Sequence, residues 1–335
     1  MRICVVGAGA IGGLMAAKLS LAGNDVTVID QGAHLAAIQK DGLKLIWEDG
    51  SEQVAKLKAV GTAAEAGPQD LVVLAVKAHF LDQVARDVGK LLDGDTMIVT
   101  VQNGMPWWYF HHFKGPLNGT QLKSLDPSGL LARHIPSDRI VGCVVYPAAA
   151  VTAPGVVKHV EGDRFPVGEL DGSMSARAQK LHDLLVAAGF RSRVLDDIRS
   201  EIWLKAWGNL SFNPISALTN ATLEDICTFP ETRKLAAAMM AEAQVIGEKL
   251  GVTFRHTIEK RIEGAQAVGK HKTSMLQDVE AGRSLETEAL VGAILEMGQL
   301  VEVPAPAIEA VYACVKLLNK TMLMEHAGVT LKKAS

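Results

Sequence analysis

The sequence predicts two domains of different class: a doubly wound α/β domain at residues 1–197 and an all-α domain at residues 198–330. Up to about residue 105, short apolar β-branched runs alternate with segments of helical periodicity, as in a parallel sheet covered by helices. From about residue 198 the periodicity is helical almost throughout. A length of 335 residues also suits two domains.

The chain begins with a strand that runs directly into a glycine-rich turn. Ile3-Cys4-Val5-Val6 is apolar throughout, and residues 7–12 match G-x-G-x-x-G before a helical segment. The first glycine permits a tight turn, the second lets backbone approach a pyrophosphate, and the third lets helix pack closely on strand. We predict a Rossmann-type dinucleotide site rather than a glycine-rich turn of another α/β unit. Its phosphate-binding residues would be Gly7, Gly9, Ala10, Ile11 and Gly12.

Polar residues follow three more predicted strands of this domain. Asp30 ends the second strand and lies 18 residues past Gly12, near the position of the acid that hydrogen-bonds a ribose diol. Lys77 follows the strand at 71–76, and Asn103 follows the strand at 97–101. Since ligands bind at the carboxyl ends of parallel strands, all three are candidate cofactor-binding residues.

The rest of the first domain predicts an antiparallel extension of the sheet. Strand-like pieces at 140–146, 156–159 and 165–168 are separated by turn signals, and 193–195 would close the domain. The aromatic stretch that begins at Pro106 precedes them. Adjacent residues point in different directions, so His111 and His112 do not predict a metal site.

A polar stripe on the first helix of the second domain is the best candidate for chemistry. Lys205, Asn209 and Asn213 recur at intervals of four and share one helix face, with tryptophans nearby. A lysine beside apolar surface suits proton transfer. From spacing alone, a solvated lysine with two surface asparagines is an equally open interpretation.

Bulk properties exclude several classes of function. A net charge of −3 does not indicate nucleic-acid or membrane binding. The four cysteines are scattered without C-x-x-C, so they predict neither a zinc site nor a disulfide framework. The apolar start is broken by glycines and by Lys18, unlike an export signal. We therefore expect a cytoplasmic protein.

Taken together, the motifs resemble the 2-dehydropantoate 2-reductase (ketopantoate reductase) family. The matching pieces occur in the family's order: GAGAIG at the start, VKA at 76–78, QNGM at 102–105, EIWLKAWGNLSFNP at 201–214 and SMLQD…E at 274–286. The resemblance implies that Lys205 is the general acid and that Glu286 hydrogen-bonds the substrate hydroxyl. It further implies substrate binding by Asn209, Asn213 and Ser274, with Lys77 and Asn103 beside the cofactor.

The implied reaction is NAD(P)H-dependent reduction of a 2-oxo acid, with 2-dehydropantoate as the leading substrate and a homodimer as the expected assembly. The family habit is NADPH, held by an arginine after the second strand. Here that position is Gln31, preceded by Asp30, so we favour NADH because a carboxylate repels a 2′-phosphate. The alternative is that Asp30 turns aside to cap the next helix.

A second departure from the family is an insertion at about residues 105–137, which begins with Trp107, Trp108 and Tyr109. These aromatics either shape the pocket for a different, bulkier oxo acid or form a packed flap. Two alternatives therefore stay open: a paralogous reductase of another oxo acid, and a non-catalytic dinucleotide sensor. The sensor would leave the Lys205 face and Glu286 without purpose.

Overall fold

A computed structural model describes residues 1–331, which divide into two compact units. The sheet unit comprises residues 1–102, 106–121 and 126–198. The helical unit comprises residues 103–105, 122–125 and the chain from Arg199 onward. Within residues 1–331, no helix combines the length and apolar character that crossing a membrane requires.

The sheet unit contains eleven strands and six α-helices among its described residues. The strands are β1 (Arg2–Val6), β2 (Asp25–Ile29), β3 (Leu43–Ile46), β4 (Glu52–Ala55), β5 (Lys58–Val60), β6 (Leu71–Leu74), β7 (Met97–Thr100), β8 (Ile140–Cys143), β9 (Ala148–Ala153), β10 (Val156–Glu161) and β11 (Val167–Glu169). The helices are α1 (Ala10–Leu21), α2 (Gly32–Asp41), α3 (Ala63–Ala66), α4 (Leu81–Val88), α5 (Leu130–His134) and α6 (Ala176–Ala187).

The main sheet confirms the doubly wound architecture. Over the described residues it has seven strands in the order β11-β8-β7-β6-β1-β2-β5, and every neighbouring pair is parallel except β11 with β8. The central strands β1, β6 and β7 are almost entirely buried, as expected of apolar runs covered on both faces. The chain reverses its winding direction at β1, so a crevice opens between the carboxyl ends of β1 and β6.

The predicted antiparallel extension is wrong in three respects. β8 pairs with β7 in parallel, and only β11 adds the expected antiparallel strand. β9 and β10 leave this sheet and form a second one, in the order β4-β3-β10-β9 within residues 1–331. The stretch at 193–195 makes only an isolated bridge, Val167 with Val194, and not a strand.

The long aromatic stretch after residue 105 is interior in the sheet unit. Trp107, Trp108, Tyr109 and Phe110 are each at most 4% exposed. The indole nitrogen of Trp108 donates to the hydroxyl of Thr100 at the end of β7, over 2.9 Å. This burial favours the packed flap over a pocket lining among the two alternatives for the insertion.

The helical unit begins with a long helix and continues with shorter ones. Its elements are α7 (Ile198–Thr219), α8 (Leu223–Thr228), α9 (Pro230–Lys249), α10 (Ile258–Ala267), α11 (Ser274–Glu280), a π-helical turn (Glu288–Gly292), α12 (Ala293–Leu300) and α13 (Pro306–Glu325). Proline at the first helical position fixes the start of α9 and α13. A capping box between Thr222 and Asp225 starts α8.

An aromatic cluster fixes the rotation of α7 about its axis. Trp203 and Trp207 are fully buried, and Phe254 packs against both, with its ring centroid 4.7 Å from that of Trp207. The indole nitrogen of Trp207 donates to the carbonyl of Met240 in α9 over 2.7 Å. Because the face of α7 that carries the tryptophans is buried in the core, the stripe that carries Lys205 lies on a different face of the same helix.

Candidate active site

The glycine turn lies between the carboxyl ends of β2 and β6. The amide of Gly7 donates to the carbonyl of Ile29 over 2.9 Å, and Gly7 has a φ of +94°. A Cβ at Gly7 would come within 2.8 Å of the Val76 side chain, and a Cβ at Gly12 would lie 1.9 Å from the carbonyl oxygen of Gly7. Both positions therefore require glycine for the reasons that the sequence indicated.

The start of α1 is open in the way that a pyrophosphate requires. Gly9 is the N-cap, no side chain caps the helix, and no acidic residue lies in the first turn. A Cβ placed on Gly9 would meet nothing within 4 Å. Side chains therefore leave room at the N-cap, beside the amides of the first turn and the positive end of the helix dipole. The residues present fit a dinucleotide, whose phosphates the amides of Ala10 and Ile11 would bind.

Asp30 holds the glycine turn from the end of β2. One carboxylate oxygen accepts the amide of Ala8 over 2.7 Å, and the other accepts the amide of Gln31 over 2.7 Å. Helix α2 has Gln31 as its N-cap and receives no side-chain cap. Asp30 is half-buried beside the turn.

His34 is a second support for the turn and is not among the residues that the sequence predicts. The His34 Nδ1 atom accepts the amide of Gly155 over 3.0 Å, so Nε2 carries the hydrogen and donates to the carbonyl of Ala8 over 2.9 Å. Asp30 and His34 together fix both polar backbone groups of Ala8. A lone histidine in the first turn of a helix carries no motif that could have revealed this contact.

The ends of β6 and β7 are tied together by a side chain. The amide nitrogen of Gln102 donates to the carbonyls of Leu74 and Val76, over 2.7 and 2.9 Å. Lys77 follows Val76 directly and precedes a short 3₁₀ turn. Lys77 thus leaves the sheet at its carboxyl edge, next to β1 in the strand order, as predicted.

Lys205 and Asn103 form the central contact of the helical unit. The Lys205 Nζ atom donates to Asn103 Oδ1 over 2.6 Å. Lys205 and Asn209 are half-buried on α7, whereas Asn213, one turn further on, is only 6% exposed. The motifs predict Asn103 as a cofactor-binding residue and Lys205 as the general acid, and in the structure the two side chains are hydrogen-bonded.

A π-helical turn anchors the segment that carries Asn103. The amide of Met105 donates to the carbonyl of Ala289 over 2.8 Å, inside the turn Glu288–Gly292. Gly104 has a φ of +85°, and a Cβ there would lie 2.3 Å from the Ala289 oxygen. Gly104 therefore lets two backbones meet, and their contact sets the position of Asn103. Such π turns are frequent at functional sites.

The two remaining predicted residues lie in the second half of the helical unit. Ser274 is the first residue of α11, after its N-cap Thr273, and is exposed. Glu286 is half-buried two residues before the π-helical turn, and its carbonyl accepts the amide of Leu290 over 3.1 Å. Both lie in irregular or terminal backbone, where ligand-binding side chains are common.

Models of known families match both parts of the chain. Residues 3–107 match the description "Ketopantoate reductase PanE/ApbA", and residues 197–319 match "Ketopantoate reductase PanE/ApbA C terminal". Together the two matches cover more than half of the sequence.

Known relatives agree over almost the full length. A 2-dehydropantoate 2-reductase from Mesorhizobium japonicum is 54% identical over 95% of this chain and 98% of its own length. The crystal structure of a candidate ketopantoate reductase from Ralstonia solanacearum has a TM-score of 0.92 and 40% identity, over 96% of this chain and 98% of that one. The 2-dehydropantoate 2-reductase from Geobacter metallireducens has a TM-score of 0.81 and 27% identity, over 95% and 99%. The chain thus belongs to the ketopantoate reductase family, as its motifs predicted.

Proposed function

We propose that this protein reduces 2-dehydropantoate to (R)-pantoate with NAD(P)H. The family comprises NAD(P)H-dependent oxidoreductases, and the relative with 54% identity is named for this reaction. The observation that carries the proposal is the lysine amine of α7 held by an asparagine carbonyl, 2.6 Å away. A sensor that only binds a dinucleotide would have no use for an oriented ammonium group.

Lys205 is the proposed proton donor. When bound, reduced nicotinamide would supply a hydride to the keto carbon, and negative charge would then develop on the keto oxygen. An ammonium group beside that oxygen stabilises the charge and delivers a proton. The Asn103 carbonyl accepts one N–H of Lys205 and thereby directs the other two. This pair restricts a flexible side chain before substrate arrives.

The other predicted residues are proposed to hold the substrate. Asn209, Asn213 and Ser274 would hydrogen-bond its polar groups, and Glu286 would accept its hydroxyl. Their chemistry supports this assignment, since amides and hydroxyls match a hydroxylated acid. Lys77 would lie beside the cofactor.

We propose NADH as the preferred cofactor. Asp30 keeps a carboxylate at the end of β2, tied to the turn by the amide of Ala8. A ribose diol can donate to such a carboxylate, whereas a 2′-phosphate is repelled by it. Gln31, the next residue, carries no positive charge to offset that repulsion.

We assign a separate role to each of the two domains. Residues 1–197 would bind the cofactor, and residues 198–330 would bind substrate and form a homodimer. We also propose a cytoplasmic location for this enzyme.

A spectrophotometric assay of the purified protein tests the proposal. Oxidation of NADH and of NADPH is followed with 2-dehydropantoate and with smaller and bulkier 2-oxo acids. We expect the highest kcat/KM with 2-dehydropantoate, and with NADH over NADPH. Preference for a bulkier acid would indicate a paralogous reductase, and no oxidation with any acid would indicate the sensor.

A further inference from the structure

We propose that Arg261 of α10 binds the carboxylate of the 2-oxo acid substrate. This inference rests on the proposed function, because it needs an anionic substrate at the Lys205 face. It goes further because it names the residue that binds the charged group of the substrate, and this residue is not part of any motif.

The first observation is the close contact between Arg261 and α7. A Cβ added at Gly208 would lie 2.1 Å from Nη2 of Arg261, 2.8 Å from Cζ and 3.1 Å from Nε. Since three atoms of the guanidinium would meet that Cβ, the group lies directly against Gly208 of α7, with Nη2 nearest. Gly208 is the single glycine of α7, and any larger residue there would displace the arginine.

The second observation is where Gly208 lies on α7. It follows Lys205 by three residues and immediately precedes Asn209. Residues three apart on a helix are surface neighbours, with Cβ atoms about 5–6 Å apart. The guanidinium therefore borders the stripe that carries Lys205 and Asn209. Arg261 is half-buried, which is compatible with a charged group at the wall of a pocket.

The third consideration is what a 2-oxo acid requires. Its keto oxygen would take the proton from Lys205. The adjacent carboxylate carries a full negative charge of its own, which needs a separate partner. The substrate-binding candidates on this face, Asn209 and Asn213, are neutral amides. A guanidinium forms two parallel hydrogen bonds to a carboxylate, a geometry that neither an amide nor an ammonium reproduces.

A neighbouring arginine offers a matched contrast. Arg255 precedes α10 and forms an ion pair with Glu201 of α7, whose side chain is only 2% exposed. Glu201 also borders Lys205, one turn earlier on the helix. Arg255 is therefore committed to a buried carboxylate of the protein itself, and its removal tests a structural role for an arginine at this face.

The test compares Arg261→Gln, Arg261→Lys and Arg255→Gln with the wild-type enzyme. For Arg261→Gln we expect KM for the 2-oxo acid to rise about 100-fold, because charge-assisted hydrogen bonds are lost. The dissociation constant of reduced cofactor should stay within about twofold, and binding of the neutral amide of the same acid, measured by inhibition, should not change. Arg261→Lys keeps the charge and the aliphatic stem, and a rise of about tenfold is expected.

For Arg255→Gln we expect equal losses for acid and amide, together with a lower melting temperature. Wild-type KM for the acid in Arg261→Gln overturns the inference, as does an equal loss of acid and amide binding. Failure of the wild-type enzyme to reduce any 2-oxo acid would instead refute the proposed function, so the two failures are distinguishable.

Discussion

The two candidate sites are built from different parts of the polypeptide. In the sheet unit the proposed ligand-binding groups are backbone amides at the start of α1, where Gly9 carries no side chain to cover them. In the helical unit they are side chains, and Lys205 depends on Asn103 for its orientation. Ligand binding at a backbone site is weakened by substitutions that add atoms, whereas activity at a side-chain site is weakened by substitutions that remove atoms. Mutations should therefore separate cofactor binding from chemistry.

The largest effect in the backbone site is expected from Gly9→Ala. The new Cβ meets no protein atom within 4 Å but occupies the space that a pyrophosphate would take. We expect the dissociation constant of reduced cofactor to rise about 100-fold, because charge-assisted hydrogen bonds to the first-turn amides are lost. Fluorescence titration with NADH measures this.

The control for this prediction is Gly89→Ala, since a Cβ at Gly89 also meets nothing within 4 Å and Gly89 lies outside the turn. Both variants should keep the stability of the ligand-free protein within about 0.5 kcal/mol. Equal cofactor affinity in the two variants would argue against phosphate binding at Gly9.

An intermediate effect is expected from Gly104→Ala, which adds an atom to the backbone that supports the side-chain site. The Cβ would lie 2.3 Å from the Ala289 oxygen, so the segment must shift and carry Asn103 away from Lys205. We expect kcat to fall about 30-fold, because misplaced catalytic groups lose near-attack geometry.

Gly172→Ala is the control that separates backbone strain from the displacement of Asn103. Gly172 also has a positive φ, and its Cβ would lie 2.5 Å from the Asp196 oxygen. Both variants should melt at lower temperature, but only Gly104→Ala should lower kcat. A matching loss of kcat in the Gly172 variant would attribute the effect to general destabilisation.

The smallest effect is expected from Asp30→Asn, which changes charge without changing shape. The amide oxygen can still accept the Ala8 amide, the hydrogen bond from the Gln31 amide is lost, and the repulsion toward a 2′-phosphate disappears. We expect the ratio of kcat/KM for NADPH to that for NADH to rise about tenfold. An unchanged ratio from steady-state assays would show that Asp30 does not select the cofactor.

Local sequence predicted the parts of the fold that depend on local pattern. The strand–turn–helix at residues 3–21 and the stripe on α7 follow from periodicity and glycine placement alone. The second sheet did not, because β10 pairs with β3 across more than a hundred residues and β9 is a run rich in alanine. β8 pairs with β7 in parallel after a long crossover that contains α5. The turn signals in this crossover resemble those of a hairpin, so they do not reveal the parallel pairing.

The site was predicted unevenly for the same reason. The residues with a motif, from Gly7 to Glu286, could be chosen from spacing and resemblance. His34, Gly104 with Ala289, and Gly208 with Arg261 act through contacts between distant segments. No periodicity encodes such contacts, so only the folded chain identifies them.

The most direct test of the account is the single-turnover rate of hydride transfer in Lys205→Ala and Lys205→Arg, alongside their cofactor affinities. Arginine keeps a positive charge but cannot release a proton at neutral pH. We expect both variants to bind NADH within about twofold of wild type and to lose about 100-fold or more in rate. A wild-type rate in Lys205→Ala would contradict the account, because the proton would then come from another group.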